Sequence, residues 1–282
     1  MRIAYLGDIV GAAGMRAACW ATGHLREAHG ADVVLANAEN AAAGTGLTPE
    51  LYRKLKAAGI DGMTLGDHAL KKRQIQATLE SAGDLIRPMN WPARCWGRGS
   101  MVVEREAGSD VRVVMLMGRL FMNGPQADDP FAALDRYLEG VPDGACVIVE
   151  IHAEATSEKV ALGWYANATG RVAAVVGTHT HVPTADARVL PKPGTDVSLP
   201  GSPNPFPGGT AYVTDLGMTG PDDSVLGRRV DRVLTFMTTA TPAPFDVAEG
   251  RPAAHGVLID VDERTGRASE IERFDLAMPI DA

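Results

Sequence analysis

The chain has 282 residues, of which 45% are apolar and 22% charged. This ordinary globular balance excludes a disordered, collagenous or coiled-coil protein. The formal charge is −8, so no broad basic face for duplex DNA is expected. The length suits one large α/β unit, and a single domain over residues 1–282 is the expectation. Cys19, Cys95 and Cys146 lie far apart. Their odd number and spacing fit neither a disulfide framework nor a zinc knuckle, and they read as buried or half-buried thiols. Asp8 interrupts the N-terminal apolar run, which is too short for a signal peptide. No stretch approaches the ~18 apolar residues of a membrane helix. A cytoplasmic protein without membrane association is expected.

In chain order, Ile3 to Leu6 predicts a buried strand, and Gly11 to Glu27 carries Met15, Ala18, Cys19, Thr22 and Leu25 at near-helical spacing. Asp32 to Ala36 is the next strand. Thr48 and Pro49 mark a helix start, as cap and first helical residue. Leu51, Leu55 and Ala58 form that helix's stripe, Gly59 ends it, and Gly62 to Leu65 is a third strand. Met101 to Arg105 and Val111 to Met117 flank Ala107-Gly108-Ser109-Asp110, a hairpin signal. A helix around Phe131 to Leu138 precedes the strongly apolar strand Ala145 to Ile151. Ser157 to Tyr165 reads as a helix capped by Thr156 and Ser157, and Val172 to Val176 as a further buried strand. Pro191 to Gly209 has six prolines and four glycines in 19 residues, which suits a loop insertion and not a central element. Gly256 to Val261 and Ser269 to Phe274 make a last hairpin. Alternating strands and helices with these hairpins predict an α/β fold of two packed sheets with helices outside.

Polar clusters follow several of these strands: Gly7-Asp8, Glu39-Asn40, Gly66-Asp67-His68, His152, and Gly177-Thr178-His179-Thr180-His181. Strand carboxyl ends are where loops converge into sites in α/β sheets. Any one cluster alone reads as a turn, a cap or a satisfied core histidine. Together, five strand ends delivering Asp, Glu, Asn or His form the pattern of a metal centre. The His-x-His spacing lets two imidazoles approach a common point from one side of an extended strand end. Four of the seven histidines fall in these clusters. His24, His29 and His255 receive no role.

The order and wording of these motifs resemble the calcineurin-like metallophosphoesterases, and most closely their YmdB-like bacterial branch of 2′,3′-cyclic nucleotide phosphodiesterases. The segments His152 to Lys159 (HAEATSEK) and Gly177 to Val182 (GTHTHV) are the specific ones. The similarity runs over nearly the whole chain outside the Pro-rich insertion. It implies a metallophosphoesterase-type four-layer sandwich, two mixed β-sheets flanked by helices. Carried over by motif, Asp8, Asn40 and His181 would hold one metal. Asp67, His152 and His179 would hold the other, with Glu39 bridging. His68 would protonate the leaving oxygen as the catalytic acid. The donor set, oxygen and imidazole without thiolate, suits two divalent or mixed-valence ions, iron first, with manganese or zinc as alternatives. Such a pair can clamp a phosphate and share a hydroxide for in-line attack. The implied substrate is a small phosphodiester, a 2′,3′-cyclic nucleotide opened to the 3′-nucleotide. A homo-oligomer stays open.

Two departures from the wider pattern stand out. The first strand ends in Asp8-Ile9-Val10 where Asp-x-His is usual, so Asn40 is the expected substitute ligand. The third motif is Gly66-Asp67-His68 where Gly-Asn-His is common. An ionised Asp67 removes one positive charge from the site and offers no hydrogen-bond donor. One unit charge at ~4 Å is worth about 4 kcal/mol at an effective dielectric near 20, which outweighs the acidic surface. Asp67 is therefore expected to tighten metal binding and to lower turnover relative to an asparagine. Asp215-Leu216-Gly217 is read as a tight turn, or as a carboxylate orienting a histidine. Alternative functions stay open: a broad phosphatase or diesterase on another small phosphate ester, a mononuclear amidohydrolase using His179 and His181, and a low-turnover nucleotide- or metal-sensing regulator.

Overall fold

The computed structural model describes residues 1–191 and 208–279. Most of the expected Pro-rich insertion at 191–209 lies outside the described residues. The chain runs β1 (Arg2–Leu6), β2 (Asp8–Ile9), α1 (Gly11–His29), β3 (Val33–Asn37), α2 (Pro49–Ala57), β4 (Gly62–Thr64), α3 (Gln76–Ser81), β5 (Leu85–Ile86), β6 (Ser100–Val103) and β7 (Val111–Met117). It continues through α4 (Pro130–Glu139), β8 (Cys146–His152), α5 (Thr156–Thr169), β9 (Ala174–Thr178), β10 (Arg188–Val189), β11 (Ala211–Val213), β12 (Met218–Pro221), α6 (Val230–Thr239), β13 (Pro252–Asp262) and β14 (Arg267–Ala277).

The strands form two mixed sheets. The first is ordered β2-β12-β13-β1-β3-β4-β5, with β14 paired to β13. Within it β1, β3 and β4 run parallel, and β13 pairs antiparallel to β1. The second is ordered β10-β11-β9-β8-β7-β6. There β7, β8 and β9 are parallel, and β6 joins β7 as the expected hairpin.

The two-residue alternation of strands decides the layers. Ile3 and Tyr5 of β1 and Val33 and Leu35 of β3 point to one core. They meet Val111, Val113 and Met115 of β7 and Cys146 and Ile148 of β8 there, between the sheets. The alternate residues Ala4, Leu6, Val34 and Ala36 face a second core shared with Leu25 of α1, Leu55 of α2 and Leu79 of α3. Val114, Leu116, Val147 and Val149 face a third, shared with Leu134 of α4 and Leu162 of α5. Three cores separate four layers, helix–sheet–sheet–helix. Ile3 and Ile148 are fully buried between the two sheets, so these positions join the layers.

Local signals act as expected at most ends. The Thr48 hydroxyl accepts from the Leu51 amide at 3.3 Å, with Pro49 opening α2. Gly30 closes α1 in the left-handed region at φ 65°. The expected cap of α5 is a correction. The helix starts at Thr156 behind Ala155, with no side-chain cap bond. Its acidic residue Glu158 instead accepts from the Arg119 and Leu120 amides, at 2.8 and 3.2 Å. The first turn of α5 is thus spent holding the loop after β7. All three cysteines are buried or half-buried thiols, and no helix among the described residues is long and apolar enough to cross a membrane.

Candidate metal centre

All eight expected site residues come together where the parallel strands of the two sheets end. From the first sheet, Asp8 opens β2 and is fully buried. Glu39 and Asn40 follow β3, and Asp67 and His68 follow β4. From the second sheet, His152 is the last residue of β8, and His179 and His181 follow β9. Gly66 allows the close approach. A Cβ there would lie 2.4 Å from the His152 ring and 2.5 Å from Glu39 Oε2.

One group is tight. Glu39, Asp67, His152 and His179 present ligand atoms that all lie within 4.8 Å of one another. His152 Nε2 is 3.1 Å from Asp67 Oδ1, 3.3 Å from Glu39 Oε1 and 3.0 Å from His179 Nδ1. A second group adjoins the first through the same carboxylate oxygen of Glu39. Its Oε1 accepts from Asn40 Nδ2 at 3.2 Å. Asn40 Nδ2 is also 3.2 Å from His181 Nε2, which is 3.9 Å from Asp8 Oδ1. His68 stands at the cleft with its side chain 27% exposed. Its Nδ1 meets Asn40 Oδ1 at 2.6 Å, and its Nε2 is 3.7 Å from Asp67 Oδ2.

The His-x-His segment differs from the extended geometry expected of it. His179 and His181 both have positive φ, 92° and 63°, a conformation that costs roughly 1–3 kcal/mol for a non-glycine residue. The turn sends the two imidazoles to different partners, His179 to His152 and His181 to Asn40. Several bonds hold it. The His179 amide donates to Asp8 Oδ2 at 3.3 Å. The Thr180 amide and hydroxyl donate to Asp215 Oδ2 at 3.2 and 2.6 Å. Lys159 Nζ, reaching up from α5, donates to Asp215 Oδ2 at 2.8 Å and to Thr180 at 3.0 Å. Both members of this ion pair are buried.

His152 is fixed from behind. Its Nδ1 meets the Thr178 hydroxyl at 2.9 Å, and that hydroxyl donates to Glu150 Oε1 at 2.7 Å. Glu150 is wholly buried between the sheets and also accepts from Asn37 Nδ2 at 2.7 Å and from the hydroxyls of Tyr5 and Thr64. Anchoring one ring nitrogen aims the other. Glu150 and Lys159 went unassigned in the sequence. The available signal was a charge inside the apolar run ACVIVEI, and a lysine on the buried face of a helix. Glu154 is a further addition, with Oε2 3.3 Å from His179 Nε2.

The electrostatics are those of crowded donors. Burial pushes the Asp8 carboxyl well above its ordinary value; the His152 charge opposes this, and Glu39 and Asp215 add to it. Burial also opposes ionisation of Glu39, but the charge and hydrogen bond of His152, with help from His68, hold it below its ordinary value. Burial opposes charge on His152, yet Glu39 and Asp67 raise it well above the usual imidazole range. Burial and the His152 charge lower His179 to about 4, and burial lowers His181. Asp8 Oδ1 is buried without a hydrogen-bond partner, which costs on the order of 1–3 kcal/mol. A cation suits that oxygen, and it suits imidazole nitrogens facing one another across carboxylates.

A four-layer α/β sandwich that joins carboxylates of one sheet to imidazoles of the other defines a metallophosphoesterase-like protein. Two solved structures share the whole fold. A hypothetical protein from Thermus thermophilus superposes with a TM-score of 0.86 at 40% identity, covering 99% of this chain and 100% of that one. A structure described as a novel phosphatase from Mycoplasma pneumoniae also gives 0.86, at 31% identity over 98% and 93%. A Bacillus subtilis protein named 2′,3′-cyclic-nucleotide 2′-phosphodiesterase is 40% identical over 97% of this chain and 96% of its own. The model of the family described as YmdB-like protein matches residues 4–274, and the chain belongs to that family.

Proposed function

We propose that the protein is a dinuclear metal-dependent phosphodiesterase that opens 2′,3′-cyclic nucleotides to 3′-nucleotides. The observation that carries this reading is the position of Glu39, between the Asp67–His152–His179 group and the Asn40–His181–Asp8 group. Asp67, His152 and His179 would hold one ion, and Asp8, Asn40 and His181 the other, with Glu39 shared. Asn40 would ligate through Oδ1, which a half turn of its amide brings to the His181 side. The oxygen and imidazole donors, without thiolate, suit iron, manganese or zinc, and the family resemblance puts iron first. Two such ions, when bound, neutralise the phosphate and make water nucleophilic at neutral pH.

The chain's own residues supply the remaining steps. Water oxygen joins phosphorus as the new P–OH, the P–O2′ bond breaks, and O2′ takes a proton from His68 while the 3′ ester stays intact; the proton that water releases restores His68 through solvent. After that half turn the Asn40 amide nitrogen would take the place of Oδ1 beside His68 Nδ1 and donate to it, which leaves the proton of His68 on Nε2, free to be delivered. The substrate class draws support from the name of the Bacillus subtilis relative. A single domain over the whole chain is part of the same proposal.

Metal analysis with a substrate panel tests it. About two metals per chain and turnover of 2′,3′-cyclic nucleotides above 3′,5′-cyclic nucleotides and phosphomonoesters are expected. Fewer than about two metals after reconstitution would overturn the dinuclear reading. A preference for monoesters would favour a broad phosphatase instead.

A further inference from the structure

The metal centre opens into a cleft of about 580 Å³ whose other wall plays no part in chemistry at phosphorus. Near one end lie Glu39, Asn40, His68 and His181; the other wall is made by Leu226, Val233, Phe236, Met237 and Phe245. Only Val233 of the ten α6 residues is buried. Of the ten exposed large hydrophobic side chains among the described residues, five line this cleft: Val182, Leu226, Phe236, Met237 and Phe245. Met237 is 72% exposed. Apolar surface concentrated this way at the mouth of a site marks a binding surface.

The wall is tied in place relative to the ligand residues. His181 Nδ1 meets the Leu226 carbonyl at 3.2 Å. Arg228 donates to the Gly44 carbonyl at 2.7 Å and the Phe245 carbonyl at 3.0 Å, so the loop carrying Phe245 is fastened to the segment after Asn40. Phe236 and Phe245 pack edge to face, ring centres 5.4 Å apart. A preformed apolar wall beside a phosphate site fits a flat, uncharged group attached to that phosphate through a sugar.

We propose that this wall is a nucleobase subsite, in which the base of the cyclic nucleotide packs its face on Phe236, Met237 and Leu226. This inference rests on the phosphodiesterase reading above. Aromatic rings, a thioether and aliphatic groups grip the face of a base and do not read its edge. Base discrimination is therefore weak, with the larger purines held better than pyrimidines. A second copy of the chain could also cover an apolar helix. The base is favoured because the wall and the metal residues line one cleft, and a protein surface seated on α6 would lie across its mouth.

The test compares adenosine and cytidine 2′,3′-cyclic phosphates with methyl riboside 2′,3′-cyclic phosphate, which lacks the base. The enzymes are wild type, Phe236→Ala and Met237→Ala, each reconstituted with metal. Wild type is expected to show a KM about tenfold lower for the adenosine substrate than for the base-free one, with cytidine between. In the variants that preference collapses toward unity through KM, with kcat for the nucleotide retained. Equal KM for all three substrates in wild type overturns the subsite while leaving the phosphodiesterase reading intact. So does a uniform loss in the variants accompanied by a change of oligomeric state in size-exclusion chromatography, which would assign the helix to a contact between copies. Turnover of none of the three removes the parent reading and the subsite with it.

Discussion

The two sheets bring unlike chemistry to one site. The sheet built on β1, β3 and β4 delivers oxygen donors, Asp8, Glu39, Asn40 and Asp67, with His68 at the cleft. The sheet built on β8 and β9 delivers imidazoles, His152, His179 and His181. Their support differs too. The oxygen donors sit in short turns and bridges of the backbone, such as the pairing of Asn40 with Val10. The imidazoles are backed by buried polar groups, Glu150 through Thr178 and Lys159 through Asp215. A carboxylate can ligate in several orientations. An imidazole offers one lone pair in its ring plane, so its other nitrogen or its backbone must be fixed first.

The largest expected effect comes from breaking the Lys159–Asp215 pair. Lys159→Met keeps the bulk of the side chain but leaves Asp215 buried without its counter-ion. Removing one partner of a buried pair costs about 3–5 kcal/mol. Asp215 retains bonds from Thr180 and Gly217, which places the loss near the lower end. Urea unfolding of the metal-free protein should show a lower midpoint with an unchanged slope. A loss under about 1 kcal/mol would mean that the strained His179–His181 turn does not depend on this pair.

A smaller and more local effect is expected at Thr178. Thr178→Val keeps the shape and removes the hydroxyl between Glu150 and His152. Loss of such a support for an imidazole ligand costs about 10–100-fold in metal affinity. Chelator competition should show this drop. Thr64→Val is the control, since it removes a different donor to Glu150 without touching His152. Equal losses in both variants would make the network merely structural and would erase the contrast between the sheets.

The same contrast explains what was legible in the sequence. The layers were readable because each strand alternates between two cores, as Ile3 and Tyr5 do against Ala4 and Leu6. The grouping of the candidate site residues was open to sequence reasoning because each lies at or next to the end of a strand. Helices α3 and α6 and the strands β2, β5 and β10 to β12 have no counterpart in the sequence reading. They are short, or in the case of α6 exposed and threonine-rich, so burial writes no clear period into them. The buried supports were hidden for another reason. Tyr5, Asn37, Thr64, Glu150 and Thr178 meet only after two sheets stack, and nothing in local spacing links them. The His-x-His spacing suggests an extended end, whereas the turn has positive φ values and is held by Asp8 and Asp215, which are distant in sequence.

Asp67 tests the first sheet as Thr178 tests the second, and its expected effect is the smallest because two consequences oppose. Its Oδ1 is 3.1 Å from His152 Nε2 and 3.7 Å from His179 Nδ1, and its Oδ2 faces His68. In Asp67→Asn one negative charge leaves the site. At ~4 Å and an effective dielectric near 20 that charge is worth about 4 kcal/mol, shared between holding metal and repelling an anionic diester. Metal affinity should fall, while turnover at saturating metal should rise by about tenfold or less. The asparagine amide also gains a donor toward the phosphate. Both quantities need measuring on one preparation: metal affinity by chelator competition, turnover with a 2′,3′-cyclic nucleotide under metal excess. Lower turnover in the metal-saturated variant would overturn the charge argument. Asp67 would then serve the reaction itself, with its Oδ2 holding the His68 ring for proton delivery.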